Sequence, residues 1–109
     1  MTVVRLSPGA AVDMGIEAAG RIGTSWLHLS LLRGPLHTII TQLYTQGNGV
    51  PAGRYDQTQA VELIVSQAKL NGYAEGLIRP HTEKIIGWLY AHGYHWAVDN
   101  GGLHVALER

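Results

Sequence analysis

The sequence predicts a mainly helical α+β domain: four to five helices closed by a C-terminal β-hairpin, with residues 2–6 as a candidate third strand. Two patterns carry that prediction. Apolar residues recur at helical spacing over Leu36, Ile39, Ile40 and Leu43, and again over Val61, Ile64, Val65 and Ala68. Residues 94–107 instead alternate, with large apolar side chains on one parity on both sides of Asn100-Gly101. A third observation bounds the size: 109 residues, 46% of them hydrophobic, make one domain able to close a core.

Thr2-Val3-Val4-Arg5-Leu6 is short and β-branched, as a strand requires. Ser7-Pro8 is a helix start, with Ser7 as N-cap and Pro8 at the first helical position. In that helix Val12, Ile16 and Ala19 share a face opposite Asp13 and Glu17, and Gly20 and Gly23 bracket its end. A second helical piece, about 24–33, is apolar nearly all round, so it is expected either at the centre of the domain or under a partner. Trp26 in it is expected in the core or in a dimer seam. Gly34-Pro35 breaks or bends this piece before the Leu36–Leu43 stripe begins.

Gly47-Asn48-Gly49 ends the third helix, and residues 47–55 are expected to form a loop. Asp56 with Gln59 three residues on is a capping-box pattern for a helix over 57–71, ended by Asn71-Gly72. Residues 73–78 are expected to make a single helical turn. Pro80 then opens the last helix, with Ile85, Ile86 and Leu89 inward and Gly93 as terminator. Asn100-Gly101 signals a type I′ turn, which pairs Val98 with Leu103, Trp96 with Val105, and Tyr94 with Leu107. Gly101→Val is expected to disrupt it, since a β-branched residue is strained at positive φ.

Charge narrows the function classes. Eight Lys and Arg balance eight Asp and Glu, and charged residues are only 15% of the chain. Residues 51–109 are no more basic, with five cations against six acids. A chain that grips nucleic acid through its phosphates usually carries a basic excess. The absence of cysteine removes disulfides, cysteine-based zinc sites and thiol catalysis. With no signal-peptide pattern at the start, it predicts a cytoplasmic protein. The most apolar window, Trp26 to Tyr44, contains His28, Arg33, Gly34-Pro35 and His37, so no membrane span is expected.

Motifs for nucleophilic, phosphate-binding or dinucleotide chemistry are lacking, and the acids are scattered along caps and polar stripes. No cofactor is expected. Six histidines stand out. His92, His95 and His104 form the best metal-ligand candidates, with His95 and His104 diagonal on one hairpin face; against that stands the simpler expectation that they line its solvated side. Three Trp and five Tyr with no Phe favour contact surfaces, where an apolar ring with a polar tip is useful. Trp88 shares a helix face with His81 and Lys84, as either an exposed anchor or a ring packed under the N-terminal helices.

The stretch after Pro80, HTEKIIGWLYAHGYHWAVDNGGLHVAL, resembles the second half of a winged helix-turn-helix domain. Thr82 stands where the recognition helix opens; Ile85, Ile86 and Leu89 follow, Gly93 ends the helix, and 94–98, 99–102 and 103–107 match strand, wing turn and strand. Helix 57–71 and the turn at 73–78 take the places of the two preceding helices. The resemblance implies a binding surface formed by Arg79, His81, Thr82, Lys84 and Trp88. The candidate recognition helix carries one Lys against one Glu, and the wing has Asp99 and no cation. The expectation is therefore a non-enzymatic protein-interaction module, a small regulator or inhibitor, with a protein partner or a second copy as homodimer. A winged-helix DNA-binding regulator and a histidine-based metal-binding protein are the alternatives.

Overall fold

A computed structural model describes residues 3–6, 8–21, 23, 25–45, 51–99 and 102–108. The chain runs β1 (Val3–Leu6), α1 (Pro8–Arg21), α2 (Trp26–Leu31), a π-helical turn (Leu32–Leu36), α3 (His37–Thr45), β2 (Gly53–Tyr55), α4 (Gln57–Leu70), α5 (Glu75–Ala91), β3 (Tyr94–Asp99) and β4 (Gly102–Glu108). Because α2, the π turn and α3 follow without a break, the helices form four bodies over one antiparallel sheet of order β1-β4-β3-β2.

The hairpin has the register that the alternation requires: Val98 faces Leu103, Trp96 faces Val105 and Tyr94 faces Leu107. Trp96, Val98, Val105 and Leu107 are buried on that parity. Asn100-Gly101, and with it the Gly101→Val expectation, lies outside the described residues, as do Ser7 and Gly47-Asn48-Gly49. Residues 3–6 are a strand, with Leu6 opposite Val105 on the outer edge of β4. The fourth strand corrects the expected 47–55 loop. Gly53, Arg54 and Tyr55 pair with Val98, Ala97 and Trp96. Three residues beginning with Gly are too short to show an alternation, so only the waiting edge of β3 defines them.

Two prolines sit inside helices, and each replaces an expected helix boundary. At Pro35 the helix continues through a π-helical turn. A proline interior to an α-helix lacks one N–H and crowds the carbonyl four residues back, and the wider π turn absorbs both. Pro80 does not open the last helix, which begins at Glu75 and absorbs the turn expected over 73–78. The carbonyl deprived of its donor belongs to Gly76, and both Gly76 and Pro80 are exposed, so water can serve it. The capping box at Asp56 is present as expected: its side chain accepts from the Gln59 N–H at 2.7 Å and the Gln59 side chain accepts from the Asp56 N–H at 2.9 Å.

The core joins all four helical bodies to one face of the sheet, through Leu32, Leu36, Ile39, Ile64, Ile78, Ile86, Leu89 and Trp96 among others. The inner stripe of α1 is made of small residues, Ala11, Val12, Gly15 and Ala18. Gly15 lets α5 approach closely, since a Cβ there would stand 2.3 Å from the Ile85 Cδ1. Trp26 is 80% exposed, which removes it from the core. Among the described residues, no helix is long and apolar enough to cross a membrane.

Candidate binding surface

Helix α5 carries all five residues expected on the binding surface, and the structure distributes them over three sides. Its core side is Ile78, Thr82, Ile85, Ile86 and Leu89. Thr82 is thus a correction: it is wholly buried, and its hydroxyl donates to the Ile78 carbonyl at 2.9 Å. It closes a helical turn and presents nothing to a partner. Thr82 stands at i, i+3, i+4, i+7 with Ile85, Ile86 and Leu89, so it continues their inward stripe, and the earlier helix start adds Ile78 beneath it.

One shoulder of α5, facing α4, holds Arg79. Its guanidinium donates to both Glu62 carboxylate oxygens, at 2.5 and 3.1 Å, and to Glu75 Oε1 from Nε at 3.0 Å and from Nη2 at 2.6 Å. Glu83 stands 4.0 Å away, and Lys69 lies 4.0 Å from Glu75. The Arg79 hydrogen bonds hold the Glu62 carboxyl below the usual carboxylate range. A carboxylate this well satisfied is a poor proton acceptor, and an arginine gripped by two carboxylates has few donors left for a phosphate.

The opposite shoulder holds His81, Lys84 and Trp88. Continuing the helical repeat toward the N-terminus adds Leu77, so that 77, 81, 84 and 88 follow i, i+4, i+7, i+11. Leu77 is 41% exposed, and Tyr73 just before the helix is 36% exposed. At the far end, Trp88 packs partly against the core and stacks on His92 and Tyr94, with ring centroids 4.3 and 6.4 Å away. His92 Nδ1 lies 2.8 Å from the Trp88 carbonyl, which ties the imidazole back over the end of α5. Trp88 is therefore both packed and presented. Burial, and then the charge of Lys84, push the His81 imidazole below its ordinary range. Neither acid of α5, Glu75 or Glu83, lies on this shoulder. Leu77, Tyr73 and Tyr94 were missed as surface residues. Leu77 would have been found by extending the helical repeat across Pro80.

The hairpin histidines do not converge. Tyr94 and Trp96 point into the core side, so His95 lies on the reverse of the sheet, away from His92 on α5. His95 is buried, which corrects its expected place on a solvated face. The His104 side chain lies outside what is described. No group of three or more His, Cys, Asp or Glu among the described residues is placed to hold a metal ion.

Two depressions flank Glu62. One, of about 360 Å³, opens between the 51–55 segment and α4, over Pro51, Tyr55, Gln59 and Leu63. The other, of about 240 Å³, lies over Thr58, Val61 and Arg79. The first is tied at its rim by the Tyr55 hydroxyl, which donates to the Pro51 carbonyl at 2.7 Å. Behind it, the Tyr90 hydroxyl donates to the Tyr55 carbonyl at 2.7 Å and accepts from the Trp96 N–H at 3.0 Å, joining α5 to both β2 and β3. Burial pushes the Tyr90 phenol up, opposed by the Trp96 N–H.

No protein-family model, no curated protein and no solved structure matches this chain.

Proposed function

We propose that this protein is a non-enzymatic protein-binding module that uses the Trp88 shoulder of α5 as its contact surface. The observation that supports this reading most directly is the division of α5. Its arginine is absorbed by Glu62 and Glu75, whereas Leu77, Lys84, Trp88 and Tyr94 form a shoulder with large rings and a single formal charge. Aromatic anchors in a weakly charged patch are what carry binding energy between proteins. A DNA-reading surface would need several free cations to neutralise phosphates. In the winged-helix-like order of α4, α5 and hairpin, α5 serves here as a protein-facing helix.

The test begins with affinity capture on the full chain, followed by rebuilding the complex from purified components. Trp88→Ala and Leu77→Ala are expected to weaken the rebuilt complex at least about tenfold, and Glu62→Gln to leave it unchanged. A rebuilt complex indifferent to both shoulder substitutions overturns the reading. So does a low-salt electrophoretic shift with duplex DNA that Lys84→Ala abolishes, which would transfer the same helix to nucleic-acid binding.

A further inference from the structure

The 51–55 segment is held less firmly than the rest of the sheet. Among the described residues β2 is the shortest strand and lies at an edge. It covers three of the six residues of β3, namely Trp96, Ala97 and Val98. Pro51 to Arg54 are exposed and Tyr55 is half-buried, so little apolar surface binds the segment down. The Tyr55 hydroxyl turns back to the Pro51 carbonyl, within the segment itself. Gly53 holds a φ of +139°, a backbone conformation closed to most residues, and glycine has the most freedom to regain on release.

The edge of β3 is prepared for the loss of its neighbour. Tyr55 faces Trp96, and the Tyr90 hydroxyl bridges the pair: it accepts from the Trp96 N–H at 3.0 Å and donates to the Tyr55 carbonyl at 2.7 Å. Removing an edge strand ordinarily leaves N–H groups of the next strand without their acceptors. At Trp96 the acceptor rides on α5, which is docked in the core through Ile86 and Leu89, so it stays when β2 goes. N–H directions alternate along a strand, so the Val98 amide points to the same side as that of Trp96 and meets Gly53.

We infer that residues 51–55 form a strap that lifts from β3 as a unit while the rest of the domain stays folded, with the Tyr90 hydroxyl as the latch that remains behind on Trp96. This is a local opening, below the free energy of global unfolding. The hinge is the start of α4, where the reciprocal Asp56–Gln59 capping bonds hold the first turn whether or not the strap is down. Lifting turns the depression of about 360 Å³ into a cleft between Leu63 of α4 and the bared edge of β3. The device is independent of the Trp88 shoulder, which lies on the opposite side of α5.

Residue-resolved amide hydrogen exchange of the full chain, in urea below the unfolding midpoint, tests this. The Tyr55 and Val98 amides are expected to exchange at least about tenfold faster than Ile86 in α5 and Ala106 in β4, with little dependence on urea. Trp96, on the same edge as Val98, is expected to keep pace with the slow class. Val12→Ala, which removes buried methyls from α1, should speed Ile86 and Ala106 and leave Tyr55 and Val98 unchanged. Tyr90→Phe should move Trp96 into the fast class and quicken Tyr55 about tenfold. If Tyr55 and Val98 share the urea-dependent rate of Ala106, β2 opens only with the whole domain and the strap is overturned. If Trp96 is fast in the unsubstituted chain, or stays slow in Tyr90→Phe, the hydroxyl is not the latch and the inference fails.

Discussion

Arg79 and Lys84 lie five positions apart on one helix, and their charges have opposite fates. Arg79 leans toward α4, where Glu62 and Glu75 take up its donors. Lys84 leans the other way, beside Trp88 and an imidazole, with no acid to meet it among the described residues. A count of cations along α5 treats the two as equal. The fold does not, because Arg79 meets Glu62 across the α4–α5 seam and Glu75 one turn back on its own helix, and Lys84 meets neither. The α4 shoulder spends its charge internally on docking two helices, whereas Lys84 on the Trp88 shoulder enters no ion pair among the described residues.

The largest effect on this contrast is expected from Gly15→Val. Any Cβ at position 15 enters the space of Ile85, whose Cδ1 and Cγ1 would lie 2.3 and 2.6 Å away. Ile85 borders the Trp88 shoulder, so pushing α1 off α5 should disturb that side first. Overpacking of this kind costs about 2–3 kcal/mol, read as a lowered urea midpoint at unchanged slope. Trp88 emission should shift as well, whereas the Arg79 cluster faces α4 and should be spared. Equal disturbance of both shoulders would show that α5 responds as one rigid body.

Tyr90→Phe comes next, at about 1–2 kcal/mol. Losing the hydroxyl removes a donor from the Tyr55 carbonyl and an acceptor from the Trp96 N–H, and so loosens β2 against β3 without touching either shoulder. Unchanged binding of a shoulder ligand, alongside the lower urea midpoint, would separate strand docking from surface display.

A smaller effect, with a definite sign, belongs to His81. Its folded-state imidazole lies below its ordinary range because of burial and Lys84. The unfolded chain therefore takes up the proton first, near pH 6.5, while the folded chain resists. Stability attributable to His81 is full above that pH and declines as pH falls toward the lower folded value. His81→Gln should flatten this acid-side decline in a series of urea midpoints across pH 7 to 5. An unaltered slope would mean that the His81 imidazole is not held below its ordinary range in the folded chain, by burial or by Lys84.

How much of this could be read beforehand depended on the range of the interaction involved. The hairpin was legible to the residue, since alternation and the Asn100-Gly101 signal both demanded Trp96 opposite Val105. The Asp56 capping box was equally legible, being complete within four residues. The helix that carries the site was legible only from Pro80 onward, because a proline at position 80 reads as a start when its neighbours in space are unknown. That shift hid Leu77, whereas the burial of Thr82 was already implied by its spacing from Ile85, Ile86 and Leu89. β2 has no pattern of its own and exists through the edge of β3. The pairing of Arg79 with Glu62 joins residues 17 apart on two helices, and no spacing rule foretells it. Lys84, His81 and Trp88 were correctly placed on one face, and what the sequence withheld was which of the named cations that face would keep.

The smallest effect tests the saturated side. Glu62 is held below the usual carboxylate range first by its hydrogen bond from Arg79. Its contribution to stability is therefore present above the unfolded carboxyl value, about pH 4.3, and is lost as pH falls through the lower folded value. The pair is solvent-exposed, with the Arg79 and Glu62 side chains 30% and 51% accessible, so salt should screen it strongly. Glu62→Gln should thus lower the urea midpoint slightly at low ionic strength and neutral pH. The difference from the wild-type chain should vanish in concentrated salt, and again at acid pH once Glu62 of the wild type is protonated. Because Glu75 still holds Arg79, the freed guanidinium edge should not turn this shoulder into an anion-binding surface, and ligands of the Trp88 side should bind as before. Retention of the full stability difference in concentrated salt would show that Glu62 acts through packing between α4 and α5, and the contrast between a charge consumed inside the fold and a charge left exposed would then rest on Lys84 alone.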